Sequence, residues 1–321
     1  MKKKKMLFLF AFRSLIRIFA VSMEYCINVR GALMSLAEPV VMGILNCTPD
    51  SFYAGSRKQT EREIAERAQQ IIAEGGRIID VGAYSTRPGH EEVSEDEEMR
   101  RLQETLLVVR REVPDAVVSV DTFRPLVARR CVEEWGADII NDVRQTLPPA
   151  PPYRAGSDYS SQPQRHTTPR PIGRGRGEGL SMFHVVAELG VPYILMSQLP
   201  SVEAILKEWA DDVQQLRSLG AKDIILDPGF GFGKTQEENF VVLSQMEKLQ
   251  VMQLPLLAGL SRKRMVWRTL EGTPDNALNG TTVLNTVALQ KGASILRVHD
   301  VKEACECVRL IRSVEDAHNN Q

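Results

Sequence analysis

Residues 223–235 read DIILDPGFGFGKT: an apolar run that ends in an acid, then a glycine-rich turn closing on Gly-Lys-Thr. The ending invites comparison with a phosphate-binding loop. That loop keeps four residues between its first glycine and the Gly-Lys pair, so that consecutive backbone N–H groups can wrap a phosphate. With the pair at Gly233 and Lys234, the first position falls on Pro228, which has no N–H to offer. Gly229 is one residue too close. A nucleotide cradle is excluded, and what remains is a short buried strand whose C-terminal end carries Asp227.

The same pattern recurs along the chain. Apolar, β-rich runs stand at VVMGILN (40–46), RIIDVGA (77–83), AVVSVD (116–121), ADIIND (137–142), PYILMS (192–197), DIILDPG (223–229), PLLAGLS (255–261) and ASILRVH (293–299). Near-continuous hydrophobicity is what strands buried on both faces require, as in a parallel sheet covered by helices. Amphipathic stretches lie between most of them. TEREIAERAQQIIAEGG places Ile64, Ala68, Ile71 and Ile72 on one stripe. SEDEEMRRLQETLLVVRREV opens with Ser94 as an N-cap before acidic residues that suit the positive end of a helix dipole. VEAILKEWADDVQQLRSLG and NALNGTTVLNTVALQKG continue the series. Eight strands alternating with helices predict a (β/α)8 TIM barrel spanning residues 38–316. A doubly wound open sheet is the competitor, but it rarely needs eight strands in one unbroken series.

Composition bounds the function. The chain has 321 residues, 43% hydrophobic and 25% charged, with a formal net charge of −1. That is the profile of a soluble globular enzyme, with no global pull toward nucleic acid or membrane. Five cysteines without CxxC spacing favour neither a disulfide framework nor a zinc site, and a reducing, cytoplasmic setting is expected. Residues 1–37 are read as an extension outside the fold. The segment MKKKKMLFLFAFRSLIRIFA is interrupted by Arg13 and Arg17, lacks an A-x-A site, and falls short of the roughly 18 unbroken apolar residues a membrane span needs. A start at Met34 or Met42 fits this reading better. Residues 144–181, rich in Pro, Gly, Ser and Arg, predict a disordered insertion, because they cannot bury enough apolar surface to offset ordering entropy.

In a barrel, chemistry gathers where the strands end. The eight runs end at Asn46; before the YSTRPG loop; at Asp121; at Asn141 and Asp142; at Met196 and Ser197; at Asp227; at Ser261 with Arg262 and Lys263; and at Arg297 and His299. Carboxylates and amides can read a flat, nitrogen-rich ring, while Arg87, Lys263, Arg297 and His299 suit phosphate oxygens. The composite predicts a substrate with a heterocycle at one end and a phosphate at the other.

Seven motifs, VMGILNCTPDSF, DVGAYSTRPG, VSVDTF, IIND, LDPGFGFGK, GLSRK and RVHD, stand in this order at these strand ends. Together they resemble the dihydropteroate synthase family over roughly residues 40–314, the insertion excepted. The resemblance implies a (β/α)8 barrel, usually dimeric, that joins p-aminobenzoate to 6-hydroxymethyl-7,8-dihydropterin diphosphate with release of pyrophosphate, and that is the target of sulfonamides. It implies Asp121, Asn141, Met196, Asp227, Phe232 and Lys263 as pterin-binding residues. Asn46 would help hold Mg²⁺, and with Arg297 and His299 would hold the diphosphate. Phe52, Thr86, Arg87, Pro88 and Ser261 would shape the p-aminobenzoate pocket. Lys263, Arg297 and His299 are the expected catalytic residues, and Lys234 is expected to be structural or solvated.

Three departures stand against the family pattern. Ala54 occupies the place of an acidic residue, the insertion follows Asn141 where a glycine-containing turn is usual, and the Met-His-Met element reads MSQL, so only Met196 carries over. Asp50 reads as a turn-former, and Cys47 has no partner that would make it a nucleophile. Rival readings are a methyltetrahydrofolate-dependent methyltransferase, which has no use for a diphosphate grip, a pterin-binding barrel without turnover, and a phosphate-binding barrel of unrelated chemistry.

Overall fold

The structure, a computed structural model, describes residues 25–47, 57–83, 93–143 and 181–319. It opens with a hairpin, β1 (Cys26–Val29) and β2 (Ala32–Ser35). Then follow β3 (Val40–Asn46), α1 (Arg57–Ala73), β4 (Ile78–Gly82), α2 (Glu95–Glu112), β5 (Val117–Asp121), α3 (Pro125–Glu133) and β6 (Ile139–Asp142). After residue 180 come α4 (Met182–Leu189), β7 (Tyr193–Met196), α5 (Val202–Ser218), β8 (Ile224–Asp227) and α6 (Gln236–Ser244). The chain ends with β9 (Leu256–Ala258), α7 (Arg264–Thr269), α8 (Leu278–Gln290), β10 (Ala293–Val298) and α9 (Val301–Asn319). Strands β3 to β10 close into a barrel in the order β10-β3-β4-β5-β6-β7-β8-β9, each described pair parallel. The eight predicted runs are the eight barrel strands. Ser94 caps α2 through the Glu97 N–H at 3.2 Å.

Alternation along each strand sorts its residues between two layers. Val41, Ile79, Val81, Val118, Ile140, Leu195, Leu226, Leu296 and Val298 belong to the large cluster between strands and helices. Met42, Ile78, Ile139, Ile194, Ile225, Leu257 and Ile295 form a second, smaller cluster inside the barrel. One inward position further along their strands stand Asp80, Asn141, Met196, Asp227 and Arg297, so an apolar floor gives way to a polar ceiling. The inward position of β5 one step beyond Ser119 is Asp121, paired in register with Asn141.

The hairpin corrects the reading that residues 1–37 stand outside the fold. Ile27, Val29 and Leu36 are buried in the same cluster as the barrel floor, so the hairpin stoppers the end opposite the polar layer. Arg30 and Gly31 make the tight turn with φ of 52° and 82°. Arg30 donates to both oxygens of Asp138 at 2.6 and 2.8 Å, where Arg110 of α2 also donates at 2.6 Å. Burial alone would raise the Asp138 carboxyl; its bonds from Arg30, the Val118 N–H and Arg110 bring it below the usual range. A start at Met34 or Met42 would remove Ile27, Val29 and Arg30. Residues 1–24, Asp50, Ala54 and the predicted insertion, except Ser181 at the N-cap of α4, lie outside the described residues.

Candidate active site

The polar ceiling is organised around Arg297. Its Nε donates to Asp80 at 2.6 Å and its Nη2 to Asp121 at 3.0 Å. Asp80 is fully buried, and it also accepts from Asn141 Nδ2, at 3.3 Å to each oxygen. Two carboxylates thus share one guanidinium, an arrangement that a planar fork of donors suits. Burial would lower Arg297, and the charges of Asp80 and Asp121 outweigh it and raise it. Burial raises Asp121, Arg297 opposes the rise, and the neighbouring Asp80 adds to it.

Two groups in this layer keep hydrogen-bonding capacity among the described residues. The Asn141 Oδ1 is buried and has no donor among the described residues. The Arg297 Nη1 has no acceptor among the hydrogen bonds of the described residues, its Nε and Nη2 being occupied. Asp142, also singled out at this strand end, points to the other layer, where it accepts from the Tyr193 hydroxyl at 2.5 Å.

Asp227 ends β8 with its Oδ1 taking the Gly229 N–H at 2.8 Å. Burial raises its carboxyl against the pull of Lys263. Lys263 lies over the Phe232 ring, 4.5 Å from its centroid, and donates to the Phe230 carbonyl. Burial pushes the Lys263 ammonium down to about 7 in spite of Asp227. The glycines after Asp227 make room for close packing. Gly229 has φ of 65°, and a Cβ there would stand 2.1 Å from the Ser197 carbonyl oxygen. A Cβ on Gly231 would meet the Lys263 side chain at 2.9 Å. Lys234 is structural, as expected. Its Nζ donates to the carbonyls of Ser197 and Gly229 at 3.1 Å and of Phe232 at 3.3 Å, tying the loop after β8 to that after β7. Thr235 completes the Gly-Lys-Thr signal as the N-cap of α6, in a capping box with Glu238.

Next to this group, at the ends of the neighbouring strands β9 and β10, Ser261 and His299 come together. The Ser261 Oγ lies 3.0 Å from the His299 Nδ1 and accepts the His299 backbone N–H at 3.1 Å. Arg262 is held by Asp300 at 2.7 and 2.9 Å. Asn46 is exposed at the end of β3; a Cβ on Gly82 would stand 3.6 Å from both the Asn46 Oδ1 and the Asp121 Cβ, so Gly82 separates the two side chains. Met196 is buried at the end of β7, in register with Asp227. Phe52, Thr86, Arg87 and Pro88 lie outside the described residues.

Sequence reasoning missed Asp80, which sits mid-strand rather than at a strand end. It also missed two supports. Asn239 of α6 accepts the Gly231 N–H at 2.6 Å and donates to the Thr235 carbonyl at 2.6 Å. Glu98 of α2, almost wholly buried, accepts from Thr122 at 2.6 Å and from Arg124, fixing the turn after Asp121. Cys47 is no nucleophile: burial pushes its thiol up to about 12, and its Sγ lies 2.9 Å from the Thr105 Oγ1.

Taken together, acceptors (Asp121, Asn141 Oδ1, Asp227) and donors (Lys263, Arg297 Nη1) stand in one polar layer above the apolar floor. The family model for pterin binding enzymes matches residues 42–156 and 172–299. The dihydropteroate synthase of Escherichia coli strain K12 is 32% identical over 307 residues, spanning 91% of this chain and 97% of its own. That of Bacillus subtilis is 33% identical over 288 residues, spanning 87% and 90%. The chain belongs to the dihydropteroate synthase family. The solved dihydropteroate synthase of Xanthomonas albilineans with 4-aminobenzoic acid superposes with a TM-score of 0.74 at 29% identity, over 91% of this chain and 98% of that one. The same enzyme in complex with 7,8-dihydropteroate gives 0.72 at 29%, over 91% and 99%. The family is thus recognisable in spite of residues 144–181. Among the described residues no helix is long and apolar enough to cross a membrane.

Proposed function

We propose that this protein is a transferase of folate biosynthesis that condenses 6-hydroxymethyl-7,8-dihydropterin diphosphate with p-aminobenzoate, giving 7,8-dihydropteroate and pyrophosphate. The observation that carries the reading is the Asn141 Oδ1, buried and without a donor among the described residues, in a polar layer that also holds the buried carboxylates Asp80 and Asp227. A buried acceptor without a donor is costly, and an N–H-rich ring edge supplies what it lacks. Asp227 and Asp121 accept from the same edge, Lys263 donates to the ring carbonyl or nitrogen, and Met196 and Phe232 supply apolar walls.

The chemistry asks little of a base, because the aryl amine is neutral at pH 7. The barrier lies in breaking the C–O bond to pyrophosphate, so charge on the leaving group must be met by fixed positive groups. Arg297 does this through its Nη1, and His299 from the end of the same strand, two residues further on. Mg²⁺ fits this site only as a partner of the diphosphate. The Asn46 Oδ1 is a hard oxygen donor at the rim, and Asp80 and Asp121 are engaged by Arg297. Mg²⁺ commonly binds through one or two protein oxygens plus substrate phosphates and water. When bound, it would neutralise charge on the departing pyrophosphate. Ser261, with Phe52, Thr86, Arg87 and Pro88, forms the p-aminobenzoate side, where sulfonamides compete. A homodimer and a cytoplasmic setting belong to the same proposal. All five cysteines are free, and Val283, Leu310 and Val314 expose apolar surface on the adjacent α8 and α9.

Calorimetric titration tests the division of labour. The pterin diphosphate is expected to bind more tightly with Mg²⁺ than with a chelator, while 6-hydroxymethyl-7,8-dihydropterin binds equally in both. A folded protein that binds neither would refute the proposal.

A further inference from the structure

Asn141 is a symmetric-looking side chain in a position where its direction matters. Its Nδ2 lies 3.3 Å from both oxygens of Asp80, and its Oδ1 is buried with no donor among the described residues. Asp80 is itself fully buried and takes the Arg297 Nε at 2.6 Å. An ionised carboxylate can only accept hydrogen bonds, so the amide must turn its NH₂ toward Asp80. The carbonyl end is then left facing the other way.

We propose that Asp80 is a positioning residue that fixes the hydrogen-bond polarity of Asn141, holding the amide so that only its acceptor meets the ligand. The inference rests on the pterin reading above, because it is an N–H edge that makes an acceptor useful there. Asp80 touches neither ligand nor reacting atoms in this account; it acts through Asn141.

The Asp80→Asn variant keeps the shape and removes the instruction. Its Oδ1 would take the Arg297 Nε, leaving its NH₂ facing Asn141. The Asn141 amide would then turn over and present its own NH₂ to the ligand, donor against donor. The double variant Asp80→Asn with Asn141→Asp restores the pattern. The new carboxylate at 141 accepts from the amide at 80 and still offers an oxygen to the pocket. Net charge is unchanged from the wild type, so the double variant remains informative should the single one fold poorly.

The test titrates 6-hydroxymethyl-7,8-dihydropterin into wild type, the single variant and the double variant, with thermal melts in parallel. Asp80→Asn is expected to weaken binding about 10- to 100-fold, as loss of one ligand hydrogen bond and creation of an unmet donor pair require. The double variant is expected to return to within about threefold of wild type. A merely structural Asp80 would not be rescued by changing Asn141. A folded Asp80→Asn variant that binds within about threefold of wild type, or a folded double variant no tighter than the single one, would overturn the inference. Wild type that binds no pterin would instead count against the proposed function. In that event the ¹⁵N-labelled free proteins still decide. The Asn141 side-chain amide signals should be slow to exchange in wild type and shift in Asp80→Asn, and an unchanged signal would sink the assignment.

Discussion

A chain beginning at Met34 would lack β1 and the turn that follows it, and the structure says what that removal costs. Ile27 is 1% exposed and Val29 7%, and both pack on the floor formed by Met42, Ile78, Ile139 and their neighbours. Burying side chains of this kind contributes roughly 1.5–3 kcal/mol each, so the pair accounts for about 3–6 kcal/mol. Arg30 adds little, because its side chain is 43% exposed and solvent screens its pairing with Asp138 to at most about 1 kcal/mol. The total of about 3–7 kcal/mol is a large share of the roughly 5–15 kcal/mol that usually separates folded from unfolded protein. At about 2–4 °C per kcal/mol for a chain of this size class, the melting temperature should fall by about 6–28 °C. The assay is a thermal melt by circular dichroism of two chains, one beginning at Met23 and one at Met34. The single substitution Ile27→Ala in the longer chain should lose about 2–4 kcal/mol through the cavity it leaves. Melting temperatures within about 3 °C for the two chains would refute the stopper's role.

Other outcomes follow from the ceiling and the clamp. Asp227→Asn keeps an oxygen for the Gly229 N–H but turns an NH₂ toward the pocket, so pterin affinity measured by titration should fall about 30- to 1000-fold, corresponding to roughly 2–4 kcal/mol. Arg297→Lys retains a cation between Asp80 and Asp121 but loses the Nη1, which has no acceptor among the described residues. It should lower kcat/KM for the pterin diphosphate about 10- to 100-fold while changing affinity for the ring alone by no more than about threefold, as steady-state kinetics and calorimetry would show. The Asp138 carboxyl is held below its ordinary value of 3.8 by Arg30, Val118 and Arg110. Its stabilisation is therefore present above pH 3.8 and disappears as pH falls through the lower folded value, where the native state gains the proton the unfolded state already holds. Urea unfolding of wild type and Asp138→Asn should differ by a constant amount above about pH 5 and converge below 3.8.

The barrel was legible because its eight strands are buried on both faces and therefore announce themselves as apolar runs. The ceiling was legible where it coincided with a strand end, as at Asp121, Asn141, Asp227 and Arg297. It was not legible at Asp80, which lies inside the run RIIDVGA, two residues before its strand ends at Gly82. The signal existed: an acid within a strand buried at every position must point at a partner, and the period of two places Asp80 on the same face as Gly82. The same parity separates Asn141 from Asp142, which a reading of strand ends treats alike. The hairpin escaped because each strand has four residues, Leu33 is 76% exposed, and its turn is Arg-Gly rather than the Asn-Gly pair that marks such turns. The pairing of Ser261 with His299 joins residues 38 positions apart on different strands, which spacing alone does not reveal.

The most direct measurement follows pyrophosphate and 7,8-dihydropteroate together, with purified protein, Mg²⁺ and the pterin diphosphate, in the presence and absence of p-aminobenzoate. The account predicts equal amounts of the two products, formed only when p-aminobenzoate is supplied and suppressed by a sulfonamide that competes with it. A folded protein that binds the pterin diphosphate and p-aminobenzoate yet forms no dihydropteroate would contradict it.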